Sequence, residues 1–388
     1  MDVNVVLVVV GATTVVLALL SAVVRRLWLS GVLLALLVGI VLGPKVLGVL
    51  DPAAAAGDER LLLEELARVT LAVSLMAAGL QITRSDLRIN LRRSAMLLTA
   101  GMAGMWVMTG LGAWLVLDLG LWAALLLGAV LTPTDPVVAS TLVTGRMAEK
   151  NVPHDVRRTL LIESGVNDGL ALPFVLLAGL MLTLPREEAL SEWVVDAGLE
   201  VAVAVAGGLL LGWTCGKVAE RAFRAGEIEH VHLLGLGLAL SLLVLGAVRL
   251  AGGSGVLGVF VASLAFSLVL EGRVRKELEQ VQESVTRFFV LPVFVFFGAV
   301  LPWEAWADLG LAGLAFAGWA LFLRRPPVVP VVLSPTLAVR RRSSRGSARS
   351  ASPRSTTRCT SSGSTIPSTS GSTRLRRSWW SPRSSPIR

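Results

Sequence analysis

The sequence predicts an all-α polytopic membrane protein, and three observations support this class: composition, the length of the apolar runs and the placement of basic residues. Of the 388 residues, 54% are apolar and 16% are charged, and the mean hydropathy is +0.72. Several apolar runs reach about 18 residues or more, which is long enough for a helix to cross a bilayer.

Hydropathy predicts eleven membrane spans. The first run does not follow a basic segment, and no cleavage site of small residues comes after it. We therefore interpret this run as a transmembrane helix and not as a removed signal peptide. The predicted spans are 3–24, 31–50, 61–82, 95–118, 121–143, 159–183, 197–216, 231–250, 253–270, 288–303 and 309–330.

Basic residues alternate between the two sides of these spans. Connections after odd-numbered spans contain 17 Lys and Arg residues, whereas connections after even-numbered spans, with their helix ends, contain five. Because Lys and Arg concentrate in cytoplasmic loops, we expect a multi-pass protein of the cell membrane. Its N-terminus is expected outside, and its basic loops and C-terminal tail in the cytoplasm.

The net charge of +9 comes from the C-terminal end of the chain. Residues 1–339 contain 24 Lys and Arg and 27 Asp and Glu, whereas residues 340–388 contain 12 Arg and no acidic residue. The membrane part therefore lacks the basic excess typical of nucleic-acid binding, and no nucleic-acid partner is expected. Cys215 and Cys359 are too few for a disulfide framework or a cysteine metal site, and no cofactor is expected.

Three connecting or packing features are predicted from local pattern. The acidic segment 185–196 is interpreted as a solvated outer loop, and the amphipathic segment 271–287 as a surface helix between spans nine and ten. Gly208, Gly212 and Gly216 repeat every four residues in the seventh span, which indicates a face for close helix packing.

The candidate site begins in the fifth span. Pro133 and Pro136 each remove a backbone donor inside an apolar run, so the helix is expected to unwind between Thr132 and Pro136. Broken backbone survives in a bilayer only where it is buried or lines a cavity, and many transporters build cation sites from discontinuous helices. Freed carbonyl groups together with Asp135 suit a hard cation such as sodium.

The sixth span completes the candidate site. Ser164 and Asp168 are four residues apart and share a helix face, so they can offer a hydroxyl and a carboxylate to one cation. Asn167, on the neighbouring face with Glu163, can hydrogen-bond the unwound backbone of the fifth span. An ionisable side chain at membrane depth indicates function, and burial favours the neutral form of a carboxyl group. Asp168 is therefore expected to hold a proton and a cation in turn, which is sufficient for exchange.

A buried Glu163 needs a positively charged partner. Arg324 and Arg325, near the end of the eleventh span, are the candidates. The alternative is that both arginines flank the cytoplasmic end of that span.

These motifs resemble those of the NhaP-type sodium/proton antiporters, relatives of the animal sodium/proton exchangers. Thr-Asp-Pro at 134–136 and Glu-Ser-x-x-Asn-Asp at 163–168 carry the resemblance, and the segments 68–80 and 288–302 are further matches. The resemblance covers about residues 1–327. The resemblance implies an inverted-repeat antiporter fold of thirteen helices, a mobile core domain beside a dimerisation domain, alternating access and a homodimer.

The resemblance also implies roles for single residues. Asp168 carries the ion or the proton, and the Asn-Asp pair implies electroneutral exchange of one cation for one proton. The glutamate of the motif is held by an arginine of the eleventh helix, which corresponds to Arg325, with Arg324 as the alternative. The implied sodium and proton site is Asp168, Asp135, Ser164 and Thr134, with Na+ at the first three; its structural and charge partners are Asn167, Glu163, Arg325 and Arg324, and the helix break is Pro133 and Pro136.

The chain departs from this pattern after about residue 327, where the expected twelfth and thirteenth helices are missing. Residues 340–388 contain 16 Ser, 12 Arg and no Asp, Glu or Lys, a composition that forms neither a span nor a core. We predict an exchanger domain at 1–327 with an incomplete second repeat, and a disordered low-complexity tail at 328–388. We interpret the tail as the product of a frameshift; the alternative is an ordinary disordered cytoplasmic tail.

The predicted function is secondary active transport of Na+, Li+ or K+ in exchange for H+, impaired in this chain by the loss of the last helices. Enzyme activity is not expected, because Ser164 has no histidine partner at membrane depth. One alternative is a cation channel, which predicts a continuous polar lining. The other is a sensor or scaffold that does not transport, which leaves Asp135, Glu163 and Asp168 without a role.

Overall fold

The computed structural model describes residues 3–19, 30–50, 59–134, 150, 152–226, 230–270 and 272–322, all within one compact unit, Met1–Leu337. These residues form helices and contain no strand, which confirms the all-α class. In chain order, the helices of the described part are α1 (Val3–Leu19), α2 (Gly31–Leu42), α3 (Glu59–Leu80), α4 (Arg84–Leu117), α5 (Leu121–Leu131), α6 (His154–Thr183), α7 (Arg186–Ala225), α8 (His230–Leu250), α9 (Gly255–Val269), α10 (Gly272–Ala299) and α11 (Trp303–Phe322).

Five of these helices, α4, α6, α7, α10 and α11, are long and apolar enough to cross a membrane. The others include shorter apolar stretches within α1, α2, α5, α8 and α9. α4 is continuous through the π-helical segment Leu97–Gly101, which the hydropathy pattern did not predict. The multi-pass membrane architecture is therefore built from helices of unequal length.

The segment 185–196 belongs to α7, so its prediction as a loop was wrong. The helix begins at Arg186 directly after Pro185, and Glu187 and Glu188 lie in its first turn. Acidic side chains in a first turn interact favourably with the positive end of the helix dipole, and proline is tolerated there because the first amides have no partner inside the helix. The same acidic residues that suggested a loop therefore favour a helix start.

The prediction of a separate surface helix at 271–287 was also wrong, because residues 272–287 are the first half of α10. Leu278 is buried. The Gln282 side-chain amide donates to the Val73 carbonyl of α3 at 3.2 Å, and the Thr286 hydroxyl donates to the same oxygen at 3.4 Å. Polar side chains that made the segment look amphipathic thus bind a neighbouring helix, which compensates their burial.

Close packing of the seventh span is confirmed in α7, whose small residues lie against α9. A methyl group at Gly208 would lie 2.5 Å from the Gly258 carbonyl oxygen, and one at Gly212 would lie 2.2 Å from the Ala262 carbonyl oxygen. Gly216 continues this row. We call these three residues and their contacts on α9 the glycine interface. At Gly208 and Gly212, only hydrogen in place of a side chain lets the two backbones approach so closely.

Candidate functional site

The end of α5 forms one side of the candidate site. Regular helix ends at Leu131, and Thr132 is fully buried. Pro133 comes next and has no amide hydrogen, so it cannot donate the hydrogen bond that would continue the helix, although Thr132 itself keeps helical backbone angles. The helix therefore stops at the position where the sequence predicted a break, and Thr134 continues without regular structure.

The middle of α6 forms the opposite side. Glu163, Ser164 and Asn167 are buried, with exposed fractions of 4%, 1% and 0%, and Asp168 is half-buried. Residues four apart lie on the same helix face, so Ser164 and Asp168 form one row and Glu163 and Asn167 the adjacent row. Four polar side chains therefore lie together inside an apolar bundle.

The Thr134 hydroxyl joins the two sides. It accepts a hydrogen bond from the Asn167 side-chain amide at 2.7 Å and lies 3.1 Å from the Ser164 hydroxyl and 3.4 Å from Glu163 Oε2. The same Asn167 amide donates to Glu163 Oε1 at 3.0 Å. Asn167 thus binds the broken segment through the Thr134 side chain, whereas the sequence predicted a bond to its backbone. This arrangement fixes the unwound end of α5 against α6.

The opposite face of α6 packs against α9 through two glycines. A methyl group at Gly165 would lie 2.1 Å from the Phe260 ring, and one at Gly169 would lie 2.5 Å from the Leu257 side chain. Both glycines are buried. Because neither glycine has a side chain, Phe260 and Leu257 of α9 pack directly on the backbone of α6, and the polar face of α6 lies on the other side, toward the end of α5.

The first turns of α6 are bound to the start of α4 by a set of contacts that we call the α4–α6 tether. Arg158 donates to the Gln81 carbonyl at 2.9 Å, and its Nε lies 3.6 Å from Asp86 Oδ2. The Thr159 hydroxyl lies 3.3 Å from the Asn90 side-chain oxygen. Asp86, Asn90 and Thr159 are buried. The tether therefore fixes the N-terminal end of α6, the helix that carries the site, against the start of α4.

Sequence reasoning missed the tether and the glycines of α6. It treated Arg158 only as a basic residue of a cytoplasmic connection. One signal was available, because Thr83 and Asp86 have the spacing of a capping box, and the structure contains that box at the start of α4. It would have marked Asp86 as an ordered residue of a helix start rather than a loop charge.

Several predicted site residues lie outside the described part of the chain: Asp135, Pro136, Arg324 and Arg325. The charge partner of Glu163 and the contribution of Asp135 therefore stay predictions. Within the described residues, no group of three or more His, Cys, Asp or Glu side chains could hold a metal ion. The described residues bring together two carboxyl groups, the buried one of Glu163 and the half-buried one of Asp168, with two hydroxyl groups and one amide, all of which offer oxygen atoms.

Residues 12–358 match the protein family described as "Sodium/hydrogen exchanger, transmembrane". The match extends past residue 327, where the sequence motifs end. It includes all the predicted site residues, from Pro133 to Arg325.

Curated relatives come from yeasts and bacteria. A Schizosaccharomyces pombe protein named a probable Na+/H+ antiporter is 31% identical over 299 residues, which are 76% of this chain and 39% of the relative. A second protein of that yeast, named Na+/H+ antiporter, is 28% identical over 84% of this chain and 72% of its own length. The K+/H+ antiporter NhaP2 of Shewanella sp. strain ANA-3 is 27% identical over 82% of this chain and 53% of its length. The chain spans about two fifths of the first relative and half of the third.

A solved structure shares the fold. The sodium proton antiporter MjNhaP1 from Methanocaldococcus jannaschii matches with a TM-score of 0.69 and 22% identity, over 86% of this chain and 81% of that chain. The likeness confirms the antiporter architecture predicted from the motifs. The number of helices expected for the whole fold, thirteen, stays a prediction.

Proposed function

The chain belongs to the sodium/hydrogen exchanger family, and from that premise we propose that it exchanges a monovalent cation for a proton at the contact between α5 and α6. The observation that carries the proposal is the Thr134 hydroxyl, which lies 2.7 Å from the Asn167 amide and 3.1 Å from the Ser164 hydroxyl at the point where α5 stops. Oxygen atoms fixed at a broken helix end are the surroundings that a hard cation prefers.

Asp168 carries the exchanged charge in this proposal. It lies one turn after Ser164 on the same face of α6 and is half-buried. Removing a carboxylate from water favours its protonated form unless a cation replaces the lost solvation. Proton and cation therefore compete for one carboxyl group, and the side that delivers either ion determines which one is carried.

Four further elements belong to the proposal. The exchange is electroneutral, one cation for one proton, because the motif carries Asn167 beside Asp168. Asp135 completes the sodium site, and Arg325 or Arg324 neutralises Glu163. The protein acts as a homodimer in the cell membrane, with its N-terminus outside. The relatives named for sodium and for potassium support a monovalent cation, and the transport assay identifies which one.

The test uses everted vesicles from bacteria that lack their own antiporters. A proton gradient is imposed, sodium, lithium or potassium is added, and collapse of the gradient is recorded. We expect collapse with the wild-type site and none with Asp168→Asn. Asp118→Asn is the matched control, because it makes the same change at an exposed residue whose φ of 55° asparagine tolerates. Equal activity of Asp168→Asn and the control would contradict the proposal.

We also propose that the unmodified chain is impaired, because its sequence after about residue 327 lacks the pattern of the last two helices. The same vesicle assay compares this chain with one that carries a twelfth and a thirteenth helix from a relative. Higher activity of the extended chain, dependent on Asp168, is the expected result. Full activity of the unmodified chain would overturn the impairment and leave the exchange proposal intact.

A further inference from the structure

A groove with a cationic end lies outside the α5–α6 site, between the start of α4, the last third of α7 and the end of α9. Its volume is about 730 Å³. Arg84 and Arg88 of α4 and Lys217 of α7 contribute the charges, and apolar side chains of all three helices form the walls. No acidic side chain of the described residues lines it. We call it the basic groove.

Two of the three cations, Arg84 and Lys217, contact neighbouring groups. Arg84 donates from Nε and Nη2 to the Leu268 carbonyl of α9, at 3.1 and 2.7 Å. These two hydrogen bonds use two of the five N–H groups of the Arg84 guanidinium. Arg88 lies one helical turn further, on the same face. Lys217 Nζ lies 6.0 Å from the centre of the Trp213 ring, within the range of a cation–π contact.

The walls of the basic groove continue from the charges along the helix axis toward the apolar middle of α7. Leu209 and Leu210 line the groove, and both are at least half exposed. They precede Lys217 by about two helical turns, which is about 10 Å along the axis. The groove is therefore cationic at one end, and its apolar wall is long enough to contact the first carbons of an acyl chain.

We propose that the basic groove binds an anionic phospholipid, with its phosphate between the three cations and one acyl chain along Leu209, Leu210 and Trp213. Like charges one turn apart on a helix repel each other, so a phosphate between Arg84 and Arg88 would relieve that repulsion. Basic pockets between membrane helices on the cytoplasmic side are suited to acidic headgroups. A lipid in this position would bridge the start of α4, which carries the α4–α6 tether, to α7 and α9.

Native mass spectrometry of the purified full chain tests this binding. The chain is stripped of lipid in detergent and given equal amounts of phosphatidylglycerol and phosphatidylcholine with identical acyl chains. We expect selective retention of phosphatidylglycerol. Arg88→Gln/Lys217→Gln should reduce that selectivity about 25-fold, since each basic residue near an anionic lipid surface contributes about fivefold.

The matched control is Arg92→Gln/Arg221→Gln, which removes two exposed charges from the same two helices outside the groove. It should keep the selectivity of the wild-type chain. Equal losses in both double variants, or no preference in the wild-type chain, would overturn the proposal. Size-exclusion profiles of both variants show whether they are folded.

Two further experiments test whether the bound anion is a lipid or free phosphate, and where the acyl chain lies. Inorganic phosphate in excess should not displace the bound phosphatidylglycerol, and displacement would mean that the groove holds a soluble phosphate instead. Phosphatidylglycerol with brominated acyl chains should quench tryptophan fluorescence less in Trp213→Phe than in the wild-type chain, which has 11 Trp. Unchanged quenching would place the acyl chain elsewhere and contradict the proposal.

Discussion

The glycine interface between α7 and α9 and the contact between α5 and α6 are both buried, yet they are built from opposite chemistry. At the glycine interface, Gly212 lets two backbones approach so closely that a methyl group would lie 2.2 Å from a carbonyl oxygen. At the α5–α6 contact, the Thr134 hydroxyl and the Asn167 amide form hydrogen bonds. The first contact positions helices by shape, and the second places oxygen atoms where α5 ends.

The comparison predicts that the two contacts respond differently to substitution. A clash at a backbone–backbone contact has no flexible side chain that can move away, so it acts on stability. We expect loss of a hydrogen bond at the end of α5 to leave the bundle intact and to change exchange at the site. The predictions below test this separation.

The largest effect is expected at the glycine interface. Gly212→Ala should destabilise the protein by about 3 kcal/mol or more, because a packed core resists added volume and the contacted atoms are backbone. Gly198→Ala on the same helix has open space around it and should be neutral or stabilising, as alanine is the better helix former. Thermal melting of the detergent-purified variants measures both. Equal melting temperatures would show that α7 and α9 do not pack as described.

The next effect is expected at Asn167. Asn167→Ala removes the amide that donates to Thr134 and to Glu163, and a buried polar group without its partner costs about 1–3 kcal/mol. We expect cation exchange in everted vesicles to fall about tenfold to hundredfold, since about 1.4 kcal/mol corresponds to a factor of ten. Asn90→Ala, which removes a buried amide from the tether, should lower the melting temperature without changing the apparent affinity for the cation. The same affinity change in both variants would remove the distinction between site and tether.

A smaller effect is expected at Thr134. Thr134→Val keeps the shape of the side chain but removes the hydroxyl next to Asn167 and Ser164, a loss of about 1 kcal/mol. Exchange should therefore fall about fivefold, and Thr134→Ser should restore it. Thr109→Val is the control, because the hydroxyl of that buried residue donates to the Met105 carbonyl of its own helix. Failure of the serine variant to restore exchange would show that the hydroxyl is not the group that matters.

The smallest effects concern ion pairs. Arg158→Gln should cost about 1 kcal/mol of stability, because Arg158 lies beside the buried Asp86 and binds a backbone carbonyl. Glu65→Gln breaks the exposed pair with Arg68 and should stay within about 0.5 kcal/mol of the wild-type chain. Denaturation followed by intrinsic fluorescence measures both changes. A larger loss in Glu65→Gln would mean that the tether adds nothing beyond an ordinary surface pair.

Much of the site could be predicted because its signals are local. Pro133 removes a donor wherever it stands, and the spacing of Ser164 and Asp168 determines a shared face in any helix. The segments at 185–196 and 271–287 were predicted wrongly because their structure depends on contacts that are not local. A hydropathy window averages charges over a segment and contains no information on whether Gln282 finds a carbonyl on another helix.

The sequence by itself determined the class of the protein, the end of α5 before Pro133 and the row of polar residues on α6, because each follows from interactions within a few residues. Only the tertiary structure decided which groups meet. It joined Thr134 to Asn167, 33 residues apart, Arg158 to Gln81, 77 residues apart, and Arg84 to Leu268, 184 residues apart. Such pairs depend on how closely whole helices pack, and that distance is determined by contacts between residues of different helices, such as Gly165 of α6 against Phe260 of α9.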